Sequence, residues 1–191
     1  EISACLVGSE MCIRDSPKPV QEKLPIWIAV GGTKSSIVRA ATLGLPIIFA
    51  IIGGNPADFN YLFEIYKQVY IENGHDIKTM QIGVHMHSFF GEDSEKIAEE
   101  YFPIYGAQMN RIGASRGWPK YTKPQFDYGR STNGHLIVGD ASLAVDRILK
   151  YQEMFGLTRF SAHMDVGAPN HLDMMKSIEI FGKDILPKVK M

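Results

Sequence analysis

The stretch Leu24–Gly54, LPIWIAVGGTKSSIVRAATLGLPIIFAIIGG, opens with apolar, β-favouring residues from Ile26 to Val30 and breaks at Gly31-Gly32. Thr33, Ser35 and Ser36 then offer the start of a helix. That helix is expected to run to about Leu43, where Gly44 supplies a left-handed stop and Pro46 blocks continuation. A second buried strand, Ile47–Ile52, begins almost at once. Two parallel strands joined by a helix make a βαβ unit. The first-turn N–H groups of such a helix have no internal partner and carry the positive end of its dipole, so a phosphate fits here, with two glycines giving it room. The same Gly-Gly-Thr pattern also turns and caps an ordinary βα loop, and neither a dinucleotide glycine fingerprint nor a P-loop lysine accompanies it.

Working outward, Asn55 and Pro56 open a helix to about Asn73, with Phe59, Leu62, Phe63, Tyr66, Val69 and Tyr70 in one apolar stripe. The strand Met80–His87 alternates: Ile82, Val84 and Met86 on one side, Gly83, His85 and His87 on the other. A strand buried on both faces reads as continuous apolar sequence, so this polar side needs a reason. His85 reads first as a structural histidine, and His87 equally as structural or functional. Asp93 or Ser94 caps a further helix that buries Ile97, Tyr101, Ile104 and Tyr105. From Gly113 to His135 no period holds, yet Trp118, Tyr121, Phe126 and Tyr128 make the stretch too aromatic for simple disorder. It reads as a loop over a cavity mouth, with Arg116 and Arg130 as anion contacts or solvated cations. Asp140 caps a helix over Ala141–Phe155, and the strand Arg159–Asp165 repeats the alternation with Ser161, His163 and Asp165 on its polar side. A helix from about His171 to Leu186 closes the chain, its core stripe being Met174, Ile178, Phe181 and Ile185. Four strands are counted, starting at Ile26, Ile47, Met80 and Arg159.

With 20 basic and 21 acidic residues the formal charge is -1, and no block of like charge points to nucleic acid or an anionic membrane. The longest apolar run, Leu43–Gly54, contains Pro46 and falls short of the ~20 residues of a membrane span. A soluble α/β domain without a metal site is expected.

The beginning of the chain differs. Cys5–Ser16, CLVGSEMCIRDS, has no amphipathic period and matches, in one reading frame, the translation of a transposase sequencing adaptor. Residues 1–16 are therefore expected to be a non-native, disordered segment, and residues 17–191 the folded domain. Source DNA read across this junction decides the point, since native codons there would contradict it. Cys5 and Cys12 both lie in the segment, so the cysteine count carries no information about redox compartment.

The line PIWIAVGGTKSSIVRAATLGLPIIFAIIGG, the helix end YIENGHD, and the segments IGVHMHSFF, LIVGDASLAVDRI and DVGAPNHLDMMKSIEIFGKDILPKV resemble, in order, the second half of the bacterial-luciferase-like flavin-dependent oxidoreductases. The resemblance covers nearly everything after Pro17. It implies a (β/α)8 barrel, which needs about 250 residues against the 191 present. The expected fold is therefore the C-terminal half of that barrel, about four βα units corresponding to strands five to eight. In such a barrel His85 and His87 point inward, and the strand C-termini bring Gly31-Gly32, Gly53-Gly54, His87 and Asp165 to one rim. His87, His163 and Asp165 are the cavity candidates by geometry. The resemblance places the phosphate of reduced FMN at Gly31, Gly32, Thr33, Ser35 and Ser36, although bacterial luciferase carries an acidic residue at the position of Gly32. It implies a cytoplasmic, homo-oligomeric monooxygenase acting with dioxygen on a small organic substrate, supplied by a flavin reductase, with the fragment inactive alone. Two alternatives stand beside it: a deazaflavin-dependent hydride-transfer enzyme, and a flavin-binding relative without turnover.

Overall fold

In the structure, a computed structural model, residues 19–22 and 24–190 are described. The segment Cys5–Ser16 lies outside the described residues. Strand β1 (Ile28–Val30) leads through the glycine pair into helix α1 (Lys34–Thr42), and β2 (Ile47–Ala50) follows. Gly44 adopts φ +64° at the end of α1, and a Cβ there would meet the His75 ring at 2.7 Å. Two separate constraints thus select glycine at that stop. Asn55 accepts a 3.0 Å hydrogen bond from the Ala57 N–H and starts a short 3-10 turn into helix α2 (Asn60–Glu72). The chain continues through β3 (Ile82–Phe90), α3 (Ser94–Ala114), α4 (Lys123–Arg130), β4 (Ile137–Gly139), α5 (Ala141–Phe155), β5 (Arg159–His163) and α6 (His171–Ile180).

Every strand pairing is parallel, and β1, β2, β3 and β5 lie side by side in chain order, as strands of a partial barrel do. The Ile47 and Ile51 N–H groups bond to the Gln81 and His85 carbonyls, and Gly91 N–H bonds to the Gly139 carbonyl. These odd-numbered positions define one edge of β3, which β2 and then β4 occupy in succession. Thr158 N–H reaches the Ile82 carbonyl on the other edge, next to β5. The structure therefore has five strands where four are expected from the sequence. At three residues, β4 is too short to display a period.

The apolar side of the sheet meets the helices. Val30, Ile47, Phe49, Ile51, Ile82, Val84 and Met86 are buried there, and Phe63 of α2 stacks between Phe49 at 3.9 Å and Phe155 at 4.1 Å between ring centroids. A second cluster gathers Phe89, Tyr101, Tyr105, Phe126, Leu136 and Val138 under α3 and α4.

Two expectations are corrected. The stretch 113–135 is not irregular throughout, because α3 extends to Ala114 and α4 occupies Lys123–Arg130. Gln125 Oε1 accepts from the Thr122 N–H at 2.8 Å and from its hydroxyl at 3.0 Å, and Pro124 sits in the first turn. This Thr-Lys-Pro-Gln start is a helix signal that the surrounding glycines obscure. The closing helix also shifts register. After Ile180 a π turn, Phe181–Ile185, inserts one residue per turn, so Ser177, Ile180 and Ile185 are buried while Ile178 is exposed. Ser177 Oγ accepts the Phe90 N–H at 2.9 Å and ties this helix to the end of β3.

Arg147, in α5, is only 4% exposed and has no carboxylate partner among the described residues. Its guanidinium donates to the carbonyls of Arg130 at 3.0 Å, Ser131 at 2.5 Å and Gly134, and to Tyr151 Oη at 2.6 Å. These bonds hold the turn between α4 and β4. Arg147→Met is expected to lower the unfolding free energy by about 3 kcal/mol, because buried carbonyls lose their donors. Urea denaturation reads this, and a loss below about 1 kcal/mol would contradict the assigned role.

Candidate functional site

The sheet face turned away from the helices is polar near the strand C-termini. Strand register stacks it in layers: Ile48, Gly83 and Arg159; then Ala50, His85 and Ser161; then His87 and His163. At the bottom, the Arg159 guanidinium lies 4.4 Å over the Trp27 ring, and a Cβ on Gly83 would crowd Trp27 at 3.2 Å.

Above this floor runs a hydrogen-bonded chain. Asp165 Oδ1 lies 2.6 Å from His163 Nε2, His163 Nδ1 lies 3.0 Å from His85 Nε2, and His85 Nδ1 lies 3.3 Å from Ser161 Oγ. A carboxylate only accepts, so His163 Nε2 carries a proton. With His163 neutral, its Nδ1 accepts from His85 Nε2–H, and His85 Nδ1 accepts from Ser161. All donors then point toward Asp165, and the chain can carry a proton between the floor and the rim. Burial first, then the His163 charge, lowers the pKa of His85, with Asp165 opposing. The structure thus joins two of the expected candidates, His163 and Asp165, directly. It also gives His85 the hydrogen-bonded place that its structural reading expects.

His87 stands beside this chain, its ring 5.2 Å from that of His163, and shares a 2.9 Å hydrogen bond between Nδ1 and Tyr105 Oη. It forms part of the wall of two cavities. The larger, about 690 Å³, opens between Ile52–Gly54 and the side chains of Tyr105 on α3, Trp118 and Tyr121 in the following connection, and Tyr128 on α4. The smaller, about 350 Å³, contains His163, Asp165 and Arg111. His135 lines the larger cavity and is held by the Gly54 carbonyl at 3.2 Å from Nδ1. Gly53-Gly54 line the larger cavity and Asp165 the smaller, with His87 common to both, whereas Gly31-Gly32, expected at the same rim, line neither. Nothing in the sequence singles out His135: it is a lone histidine in a turn, 81 residues from Gly54, and the turn is held by bonds from Arg147 to the carbonyls of Arg130, Ser131 and Gly134. Tyr105 was legible only as part of a buried stripe.

The reading of Arg130 as an anion contact is corrected. It pairs with Glu95 at 3.0 Å and donates to the carbonyls of Ser94 at 2.9 Å and Val138 at 3.1 Å, fastening α4 to α3 and β4. Arg116 lies 4.9 Å over the Trp118 ring at the cavity.

The glycine turn sits at the end of β1, outside the lining of both cavities. Gly32 adopts φ +109°, and a Cβ on Gly31 would meet nothing within 4 Å. Thr33 occupies the N-cap position without a side-chain capping bond, no acidic residue lies in the first turn of α1, and Ser36 N–H closes on the Thr33 carbonyl at 3.1 Å. Among the described residues the Lys34 and Ser35 N–H groups find no acceptor. This turn has the open backbone and free donors that a phosphate requires. Among the described residues no group of three or more His, Cys, Asp or Glu is arranged to hold a metal, and no helix is long and apolar enough to cross a membrane.

Burial, helped by the His163, His135 and His85 charges, lowers the His87 pKa from 6.5 to about 4. The folded state therefore disfavours the protonated ring. Between those values the unfolded chain binds more protons, so the contribution of His87 to stability is complete above about pH 6.5 and is lost as pH falls toward about 4. His87→Gln is expected to flatten that part of the stability–pH curve, and an unchanged slope would contradict the burial of a neutral ring.

Comparison with known proteins follows the same lines. The family model of luciferase-like monooxygenases matches residues 10–158. No curated protein matches the chain. Among solved structures it is similar to a monooxygenase from Streptomyces bottropensis, with a TM-score of 0.70 and 20% identity over 90% of this chain and 50% of that one. It is also similar to the coenzyme F420 dependent tetrahydromethanopterin reductase of Methanopyrus kandleri, at TM-score 0.60 and 15% identity over 87% of this chain and 51% of that one. A third is the oxygenating constituent of 3,6-diketocamphane monooxygenase from Pseudomonas putida, in complex with FMN, at TM-score 0.58 and 16% identity over 86% of this chain and 48% of that one. The chain spans about half the length of these structures. Its parallel βα order, partial-barrel sheet and family match agree, and the chain belongs to the luciferase-like monooxygenase family.

Proposed function

We propose that the chain is the phosphate-binding and proton-handling half of a flavin-dependent oxidoreductase, a monooxygenase using reduced FMN and dioxygen on a small organic substrate. The observation that carries this reading is the turn after β1: a glycine at φ +109°, an uncrowded glycine before it, Lys34 and Ser35 N–H groups with no acceptor among the described residues, and no acidic residue in the first turn. Gly31, Gly32, Thr33, Ser35 and Ser36 would hold the flavin phosphate through backbone N–H and hydroxyl donors. Bound there, the flavin supplies the electron-transfer and oxygen chemistry that protein side chains lack. The chain's own residues orient the ligand and manage protons. His87, neutral near pH 7, presents an uncharged ring to both cavities. His163, held by Asp165 at Nε2, presents Nδ1 to His85 and so joins the rim to the hydrogen-bonded chain below it. A flavin reductase partner, homo-oligomeric assembly and a cytoplasmic location belong to the same proposal.

A deazaflavin cofactor is the second reading, since one similar structure is a coenzyme F420 dependent reductase. A flavin-binding relative without turnover is the third. Fluorescence titration separates the first two: FMN should bind the chain more tightly than riboflavin, which lacks the phosphate. Replacing Thr33 and Ser36 by alanine should weaken FMN about tenfold and leave riboflavin unchanged. Equal affinity for FMN and riboflavin would overturn the phosphate assignment, and preference for the deazaflavin would transfer the reading to hydride transfer.

A further inference from the structure

Of the two arginines that the sequence marks as anion contacts, Arg130 is answered inside the protein and Arg116 is not. Arg130 pairs with Glu95, whereas Arg116 forms no ion pair among the described residues. Its position follows from the way α3 ends. Gly117 adopts φ +68°, and the Arg116 and Trp118 N–H groups both return to the Gly113 carbonyl, at 2.9 and 3.0 Å. A left-handed glycine followed by an N–H that reaches back five residues is a helix-terminating turn, and it fixes the backbone on either side of the glycine. The turn lays the Arg116 guanidinium over the Trp118 ring at 4.9 Å, and both side chains line the 690 Å³ cavity. Stacking occupies the faces of a guanidinium and leaves its N–H edges open to an acceptor in its plane.

The remaining lining makes this cation count. It contains no acidic residue. Burial lowers the pKa of His87 and His135, so neither ring is charged near pH 7 and Arg116 carries the fixed charge of the cavity. Gln125 adds a second donor. Its Oε1 is occupied by the Thr122 N–H and hydroxyl, which leaves the Nε2 amide without an acceptor among the described residues. Arg116 and Gln125 are exposed, Met109 and Ile112 are half-buried, and Tyr105 is buried, so the cavity is apolar within and rich in donors at its mouth. Its volume matches that of sites for small organic ligands.

We propose that this cavity takes an ionised carboxylic acid with a compact apolar body, the body seated against Met109 and Ile112 and the carboxylate paired with Arg116 and the Gln125 amide at the mouth. This names the organic substrate class for the oxidoreductase reading above and rests on it. A carboxylate matches the guanidinium fork in shape as well as charge. The apolar interior adds affinity by burial, which a small inorganic anion does not gain. Arg116 thus acts as the residue that selects the substrate and fixes which end faces out.

Equilibrium dialysis of 2-naphthoate and of its neutral counterpart 2-naphthamide, against the whole chain and against Arg116→Gln, tests this. Naphthoate should bind the original chain about tenfold more tightly than naphthamide, and Arg116→Gln should remove the preference while naphthamide affinity stays the same. A retained thermal unfolding transition verifies the fold of the variant. Ile112→Trp, which fills the cavity, should weaken both ligands. Absence of a naphthoate preference in the original chain, or its survival in Arg116→Gln, overturns the proposal, as does naphthyl binding that Ile112→Trp leaves intact. FMN titrated into the same samples keeps the two readings apart. Its affinity should be unchanged in Arg116→Gln, and a loss there would assign the arginine to the flavin phosphate and overturn the inference. A lost naphthoate preference with intact FMN binding sinks only this inference, whereas an Arg116-dependent preference without FMN binding sinks the cofactor reading.

Discussion

Strand β3 is hydrogen-bonded along both edges, to β2 and β4 on one side and to β5 on the other, and this pairing dictates the direction of every side chain in the sheet. In a strand with period two, slipping its register by one residue would exchange Ile82, Val84 and Met86 for Gly83, His85 and His87 on the helix-facing side. The aromatic stack through Phe49, Phe63 and Phe155 opposes that exchange, since two histidines and a glycine cannot replace the packed apolar set without the histidines losing their partners. The polar layer of the open face is therefore a consequence of the apolar layer behind it.

The cavity wall depends on a different set of interactions. Arg130 fastens α4 to the start of α3, and Arg147 fastens the turn after α4 to α5. Both guanidinium groups mainly satisfy backbone carbonyls, which a loop cannot satisfy by itself once it is buried. Through them the 113–135 segment becomes a defined wall beside His87 and His135. The apolar sheet core builds the frame, and buried cations shape the mouth.

Much of this organisation was legible in the sequence. Gly44 before Pro46, the stripe from Leu62 to Tyr70 and the alternation in IGVHMHSFF each follow from local chemistry, and each corresponds to an observed element. What escaped had nonlocal causes. The pairing of β4 with Ser88–Phe90 depends on three residues finding an edge that β2 leaves vacant. The π turn at Phe181–Ile185 moved the buried stripe from Ile178 to Ile180, a change that no regular helical period contains. At the site, the alternation placed His163 and Asp165 on one face, but their direct bond and the link to His85 needed the register of β3 against β5. Arg130 is separated from Glu95 by 35 positions, so its neutralisation could not be read from neighbouring residues.

The turn after β1 is the proposed seat of a cofactor phosphate. Backbone amide chemical shifts, followed by nuclear magnetic resonance while FMN is added to the chain, test this residue by residue. The predicted result is saturable shift changes concentrated at Gly31–Ser36. Shifts that leave those amides unmoved while FMN binds elsewhere would contradict it.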